Sequence, residues 1–252
     1  MKEFLAYFFG QGTEPEFAIF TFAHFAPILC GGLLIFLIYR MRSKLARMEK
    51  EPVFRYILAF ALIFAEFGYY WRLTNLPHLA VGPVENLPLA VCGWCAIFGS
   101  YMLVGKNQTL FDLIYFWLFS GSLFALITPT PLTYTGPTRF RYYQFWTAHV
   151  LGYVAVFYMI FVHKIRPTIK SAVKSYIGLL IMVVIAYFVN DMLPGANYLY
   201  IARPESAPSI LDILPENYAL RLLVMSAAIT AMYALAYLPW FMKDKKAAKK
   251  VN

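Results

Sequence analysis

Charge is what this chain lacks most. Charged residues make up 14% of its 252 positions, against about 25% in ordinary soluble domains, which leaves too little charge to cover a globule in water. Three cysteines cannot build a disulfide framework. No P-loop, HExxH or GxSxG motif occurs, so the ATPase, zinc-protease and serine-hydrolase readings have no support. The few Cys and His lack metal-ligand spacing, and neither a metal nor any other cofactor is expected. What fills the gap is apolar: 61% hydrophobic residues, with 23 Phe and 19 Tyr. That composition takes a bilayer as its solvent. The formal charge of +9 is then read as loops that stay on one side of a membrane rather than as a nucleic-acid surface.

A helix needs roughly 20 apolar residues to cross hydrocarbon, and seven segments qualify, near 17–39, 52–71, 87–105, 109–128, 144–163, 171–191 and 218–241. The expected fold class is therefore all-α: a polytopic, multi-pass bundle of seven transmembrane helices in a single integral domain covering 1–252. Basic residues set its orientation, because Lys and Arg in short loops resist translocation. With the amino terminus outside and the carboxyl terminus cytoplasmic, the inner loops hold 16 of the 22 Lys and Arg, among them Arg40 to Lys50, Lys164 to Lys174 and the tail from Lys243 to Lys250. The plasma membrane is the expected location. The long outer connections, 129–143 and 192–217, are rich in Pro and aromatics.

Polar side chains within spans are costly and therefore informative. His24, Glu66, Cys92 and His149 each fall on the order of 6 to 11 Å below the outer boundary at helical rise, which puts them in one layer. Asp112 and His163 fall near cytoplasmic ends, where water or headgroups can solvate them. Cys30 falls near mid-membrane and reads as packing. A histidine between helices is commonly a structural hydrogen-bonded group, and a buried carboxylate can stay protonated.

The pairing of Cys92 with His149 is the most specific feature. Acyl transfer needs a polarizable nucleophile and a base that removes its proton, and an imidazole is such a base near neutral pH. The thiolate could attack a phospholipid ester, hold the acyl chain as a thioester and pass it to a second alcohol. Two other chemistries stay open. Cys92-Gly93-Trp94-Cys95 has the spacing of thiol-disulfide exchange motifs, although no βαβ pattern surrounds it. Buried His24, Glu66 and His149 could equally serve a transporter or small-molecule receptor.

The stretch ENLPLAVCGWCAIFG resembles the LPLHLC box of the YwaF-type integral membrane family. QFWTAHVLG is similar to that family's fifth-span histidine motif, LITPTP to its L-T-P turn, and NYLYIARPESAPSILDIL to its outer loop. These matches run from Asn86 to Leu214. Eukaryotic relatives include a transmembrane acyltransferase of ether-phospholipid metabolism, so the resemblance implies coenzyme-A-independent movement of acyl chains between membrane phospholipids, with Cys92 as nucleophile and His149 as general base. Ala90 stands where many relatives carry a polar or imidazole side chain, and Ala202 where a Cys is common. Around that pair, Arg139, Arg141 and Arg203 could grip a lipid phosphate. Asn86 and Thr128 could donate to an oxyanion. Glu66 or Asn190 could orient the imidazole.

Overall fold

In hydrocarbon every backbone N–H and C=O must find its partner within the chain, and a helix does this segment by segment. The computed structural model describes residues 1–12, 17–76, 82–129, 136–203 and 210–249, and among them there are helices and no strand. Residues 130–135 of the first long connection, with the end of the LITPTP match, residues 204–209 of the second, and Lys250 lie outside the described residues.

Ten α-helices follow in order: α1 Lys2–Phe9, α2 Phe22–Arg47, α3 Glu51–Asn75, α4 Pro83–Asn86, α5 Val91–Gly105, α6 Gln108–Trp117, α7 Leu123–Ile127, α8 Phe140–His163, α9 Ile169–Met192 and α10 Tyr218–Ala248. A π-helical turn, Leu118–Ser122, joins α6 to α7, making one continuous helix over Gln108–Ile127. Among the described residues six helices are long and apolar enough to cross a membrane: α2, α3, the α6–α7 unit, α8, α9 and α10. They coincide with six of the seven expected spans. The remaining one, near 87–105, contains α5, whose 15 residues reach about 22 Å, short of the roughly 30 Å of hydrocarbon. Its first four positions are not helical: Pro88 follows Leu87 and disfavours the α conformation there, and Leu89 N bonds back to the Leu87 carbonyl at 2.8 Å. The helix α1 was not expected. Arg72 Nε donates to the Phe9 carbonyl at 2.7 Å, and the wholly buried Arg139 donates to the carbonyls of Tyr7 and Gln11, so two guanidinium groups hold this helix against the bundle.

The core is α8, flanked by α2, α3 and α5, with α5 and α9 in turn packed on α6. Since lipid tails are as apolar as Leu, helix association inside a membrane depends on close backbone approach and interhelical hydrogen bonds. The α3–α5 contact uses both. A Cβ on Gly99 would stand 2.8 Å from Leu62 Cδ2, and one on Gly93 would stand 2.5 Å from Glu66 Oε1. Four residues apart, Leu62 and Glu66 lie on one face of α3 and slot onto those two glycines. Ser100 Oγ adds a 2.9 Å bond to the Ala59 carbonyl. Local signals set the chain reversal after α5: Lys106 adopts the left-handed conformation at φ 50°, and the Asn107 side chain caps α6 by accepting from Leu110 N at 3.0 Å. In the π turn the Leu118 carbonyl accepts from Tyr153 Oη at 2.6 Å.

Candidate active site

Cys92 is the second residue of α5. Its helix starts without a side-chain cap, because Ala90 has no oxygen to offer. The first α-helical bond runs from Trp94 N to the Ala90 carbonyl, so the N–H groups of Val91, Cys92 and Gly93 have no acceptor within the helix. The amides of Cys92 and Gly93 point at the Cys92 sulfur. A helix amino terminus of this kind favours negative charge, whether a thiolate or an oxyanion. The thiol is half-buried and free; Cys95 is buried and free, and Cys30 is exposed.

Two charged side chains, Glu66 and Arg141, lie near this turn. Glu66, buried on α3, lays its carboxylate against Gly93. Arg141, in the first turn of α8, lies within electrostatic range of Cys92, Glu66, Tyr69 and Tyr70. Its guanidinium stands over the Tyr69 ring at 4.5 Å and donates to Gln144 Oε1. His149, two turns further along α8, is buried and also lies within range of Arg141. Its Nδ1 sits 2.8 Å from the Phe145 carbonyl. A carbonyl only accepts, so Nδ1 carries the proton and Nε2 presents a lone pair. That Nε2 is buried with no hydrogen-bond partner. The thiol and the imidazole thus share a charged neighbour in the α3–α5–α8 interface, while no bond joins them in this resting state.

The other expected site residues are engaged elsewhere. His24 shares the depth but not the cluster: its Nδ1 accepts from Phe20 N at 3.0 Å and its Nε2 contacts the Leu126 carbonyl at 2.7 Å. Both ring nitrogens are therefore spent, and the ring lies among Phe25 and Trp146. Neither Glu66 nor Asn190 orients the imidazole; the Phe145 carbonyl does. Asn190 instead accepts from Tyr198 N at 2.7 Å and donates to the Tyr198 carbonyl. Asn86 donates to the Gly82 carbonyl at 3.2 Å and accepts from Tyr69 Oη at 3.1 Å. Thr128 bonds back to the Phe124 carbonyl, closing the last turn of α7. Arg139 holds α1, and Arg203 donates to the Gly195 and Ala196 carbonyls within its own loop. Of the three arginines, Arg141 alone joins Cys92.

Sequence reasoning did not single out Tyr69, Tyr70, Gln144 or Tyr198. The first two stand three and four residues after Glu66, a helical spacing that puts them on its face. Tyr198 donates to the Pro83 carbonyl at 2.6 Å and accepts from Leu87 N at 2.7 Å. It therefore fastens the second long connection to the segment that leads into α5, a contact with no local signature.

No solved structure matches this chain. An uncharacterized protein of Treponema pallidum (strain Nichols) is 31% identical over 156 residues, covering 62% of this chain and 63% of that protein; the chain thus spans less than two thirds of its relative's length. The family model described as TMEM164 family matches residues 19–237, a stretch that contains both Cys92 and His149 and leaves out only the two ends. By that match over most of its length, the chain belongs to the TMEM164 family.

Proposed function

We propose that this protein is a multi-pass membrane phospholipid acyltransferase that carries the acyl chain as a thioester on Cys92, with His149 as general base and no coenzyme A. The observation that carries the reading is the buried, unpartnered Nε2 of His149, held in its acceptor tautomer within electrostatic range of Arg141, which is in turn within range of Cys92. A buried acceptor without a donor costs on the order of 1–3 kcal/mol. A site that must accept a proton during turnover is a physical reason to retain one.

In the reaction a rotamer change brings Sγ–H to Nε2, which takes the proton. The thiolate attacks the ester carbonyl carbon of a phospholipid, and the tetrahedral oxyanion is met by the free N–H groups of the first turn of α5 and by Arg141. The C–O bond breaks, the lysophospholipid oxygen leaves with the proton from His149, and a thioester remains on Cys92. A second lysophospholipid hydroxyl gives its proton to Nε2 and attacks the thioester. The new ester forms, and the thiol recovers its proton. Glu66 holds Arg141 in place by charge, and phospholipids are the only partners the cycle needs.

In the same proposal α5, with the non-helical residues before it, completes seven spans; the amino terminus lies outside, the carboxyl terminus in the cytoplasm, and the site in the outer leaflet of the plasma membrane. The test is acyl exchange between labelled phospholipids in defined vesicles, followed by mass spectrometry for wild type, Cys92→Ala and His149→Ala. Exchange lost in both variants supports the reading. Exchange undiminished in Cys92→Ala would refute it, and ion- or substrate-coupled flux that persists in Cys92→Ala would favour a transporter. A thiol-exchange activity lost in Cys95→Ser would favour the redox alternative.

A further inference from the structure

Away from the Cys92 cluster, the end of α9 and the start of α10 enclose a groove of about 200 Å³ lined by Tyr187, Asn190, Asp191, Ile201, Ala202 and Tyr218. Its composition is selective. Two tyrosine rings, one from each helix, stand 6.0 Å apart at 49°. Asp191, exposed at the last turn of α9, is the one charged side chain in the lining among the described residues. Spaced four apart on α9, Tyr187 and Asp191 face the same way. Ile201, almost wholly buried, closes the floor. The Asn190 amide is already spent on Tyr198, so the groove offers a ligand two π faces and one carboxylate.

We propose that this groove binds the alkylammonium group of a zwitterionic phospholipid headgroup. Aromatic faces attract cations through their quadrupole, and quaternary ammonium groups are bound in this way. A carboxylate beside the rings adds Coulomb attraction for a cation and repels anionic headgroups. The position suits a lipid: both helices end here, at the same end of the bundle as Cys92, because Tyr198 links Asn190 beside the groove to Pro83 and Leu87 before α5. The lipid as source rests on the acyl-transfer reading; selectivity for an ammonium ion over an anion does not.

The test is native mass spectrometry of the purified full-length protein offered equal amounts of phosphatidylcholine, phosphatidylethanolamine and phosphatidylglycerol, with free choline as a separate arm. The two zwitterionic lipids are expected to be retained about tenfold over phosphatidylglycerol, an advantage of the size a cation–π contact and an ion pair together supply. Asp191→Asn and Tyr218→Leu should each bring the ratio toward one, with helical circular dichroism unchanged. Cys92→Ala should keep it, so lost exchange with retained selectivity sinks the catalytic reading alone. Excess choline chloride should displace the lipid where sodium chloride does not. Equal retention of the anionic lipid by wild type, selectivity surviving in both groove variants, no displacement by choline, or free choline binding as tightly as the lipid would each overturn the proposal.

Discussion

The two ends of the α3–α5–α8 interface are built from the same side chains and use them in opposite ways. At one end Glu51 Oε1 accepts from Arg55 Nε at 3.1 Å, from Tyr158 Oη at 2.9 Å and from His163 Nε2 at 2.8 Å. Arg55 then reaches across to the carbonyls of Leu103 and Val104, at the carboxyl end of α5. About 22 Å along α3, Glu66 takes the place of Glu51, Arg141 that of Arg55, Tyr69 and Tyr70 that of Tyr158, and His149 that of His163. There the imidazole nitrogen has no partner and the first amides of α5 are uncapped. One glutamate is saturated and locks three helices together. The other leaves an imidazole nitrogen without a partner and a free thiol, two side chains with capacity to spare.

Mutations at the two ends should therefore separate activity from stability. The largest effect is expected at His149. Replacing it by Ala should lower acyl exchange by about 10²–10⁴-fold, the usual contribution of a general base, with little change in thermal midpoint, because it gives up a single bond to its own helix. At the other end Glu51→Ala should cost about 3–5 kcal/mol in detergent unfolding, since it strands the buried Arg55 guanidinium, and leave the activity of the folded fraction near wild type. Equal losses of activity at both ends would erase the contrast.

Much of this architecture was legible from composition and residue order. Long apolar runs marked six helices, because hydrocarbon admits few alternatives, although α2 and α10 run on to Arg47 and Ala248, well past the expected ends at 39 and 241. The Cys92 layer was legible in part: Glu66, Cys92 and His149 were counted to one depth along their helices, and in the structure each lies within electrostatic range of Arg141. His24, counted to the same depth, bonds to backbone on a different side, because helix rise gives height and says nothing of azimuth. The Glu51 cluster was not anticipated. His163 and Asp112 were expected to be solvated near the helix ends, yet His163 binds Glu51 while Asp112 is buried with Lys174 at 2.5 Å and Gln108 at 2.6 Å. Long-range partners of this kind have no signature in local spacing. The same holds for Tyr198, and for the π turn, whose Leu118 carbonyl is met by a tyrosine from another helix.

Smaller effects sharpen the comparison. Gly93→Ala and Gly99→Ala both push a methyl into α3 and should each cost about 1–3 kcal/mol by overpacking. Gly93→Ala should also depress exchange, because the atom it strikes is the Glu66 carboxylate, whereas Gly99→Ala strikes Leu62 and should leave turnover intact. Identical activity in the two variants would show that Glu66 takes no part in the site. Tyr198→Phe should cost about 1 kcal/mol for the lost hydroxyl bonds, readable as faster hydrogen exchange over residues 83–87 with α3 and α8 unaltered.

The most direct measurement is peptide mass spectrometry of wild-type protein quenched in acid after incubation with phospholipid carrying a labelled acyl chain. The account predicts one acyl adduct on the peptide containing Cys92, released by hydroxylamine as a thioester is, and absent in Cys92→Ala. Labelled chains that move between lipids while Cys92 stays unmodified at every quench time would contradict it.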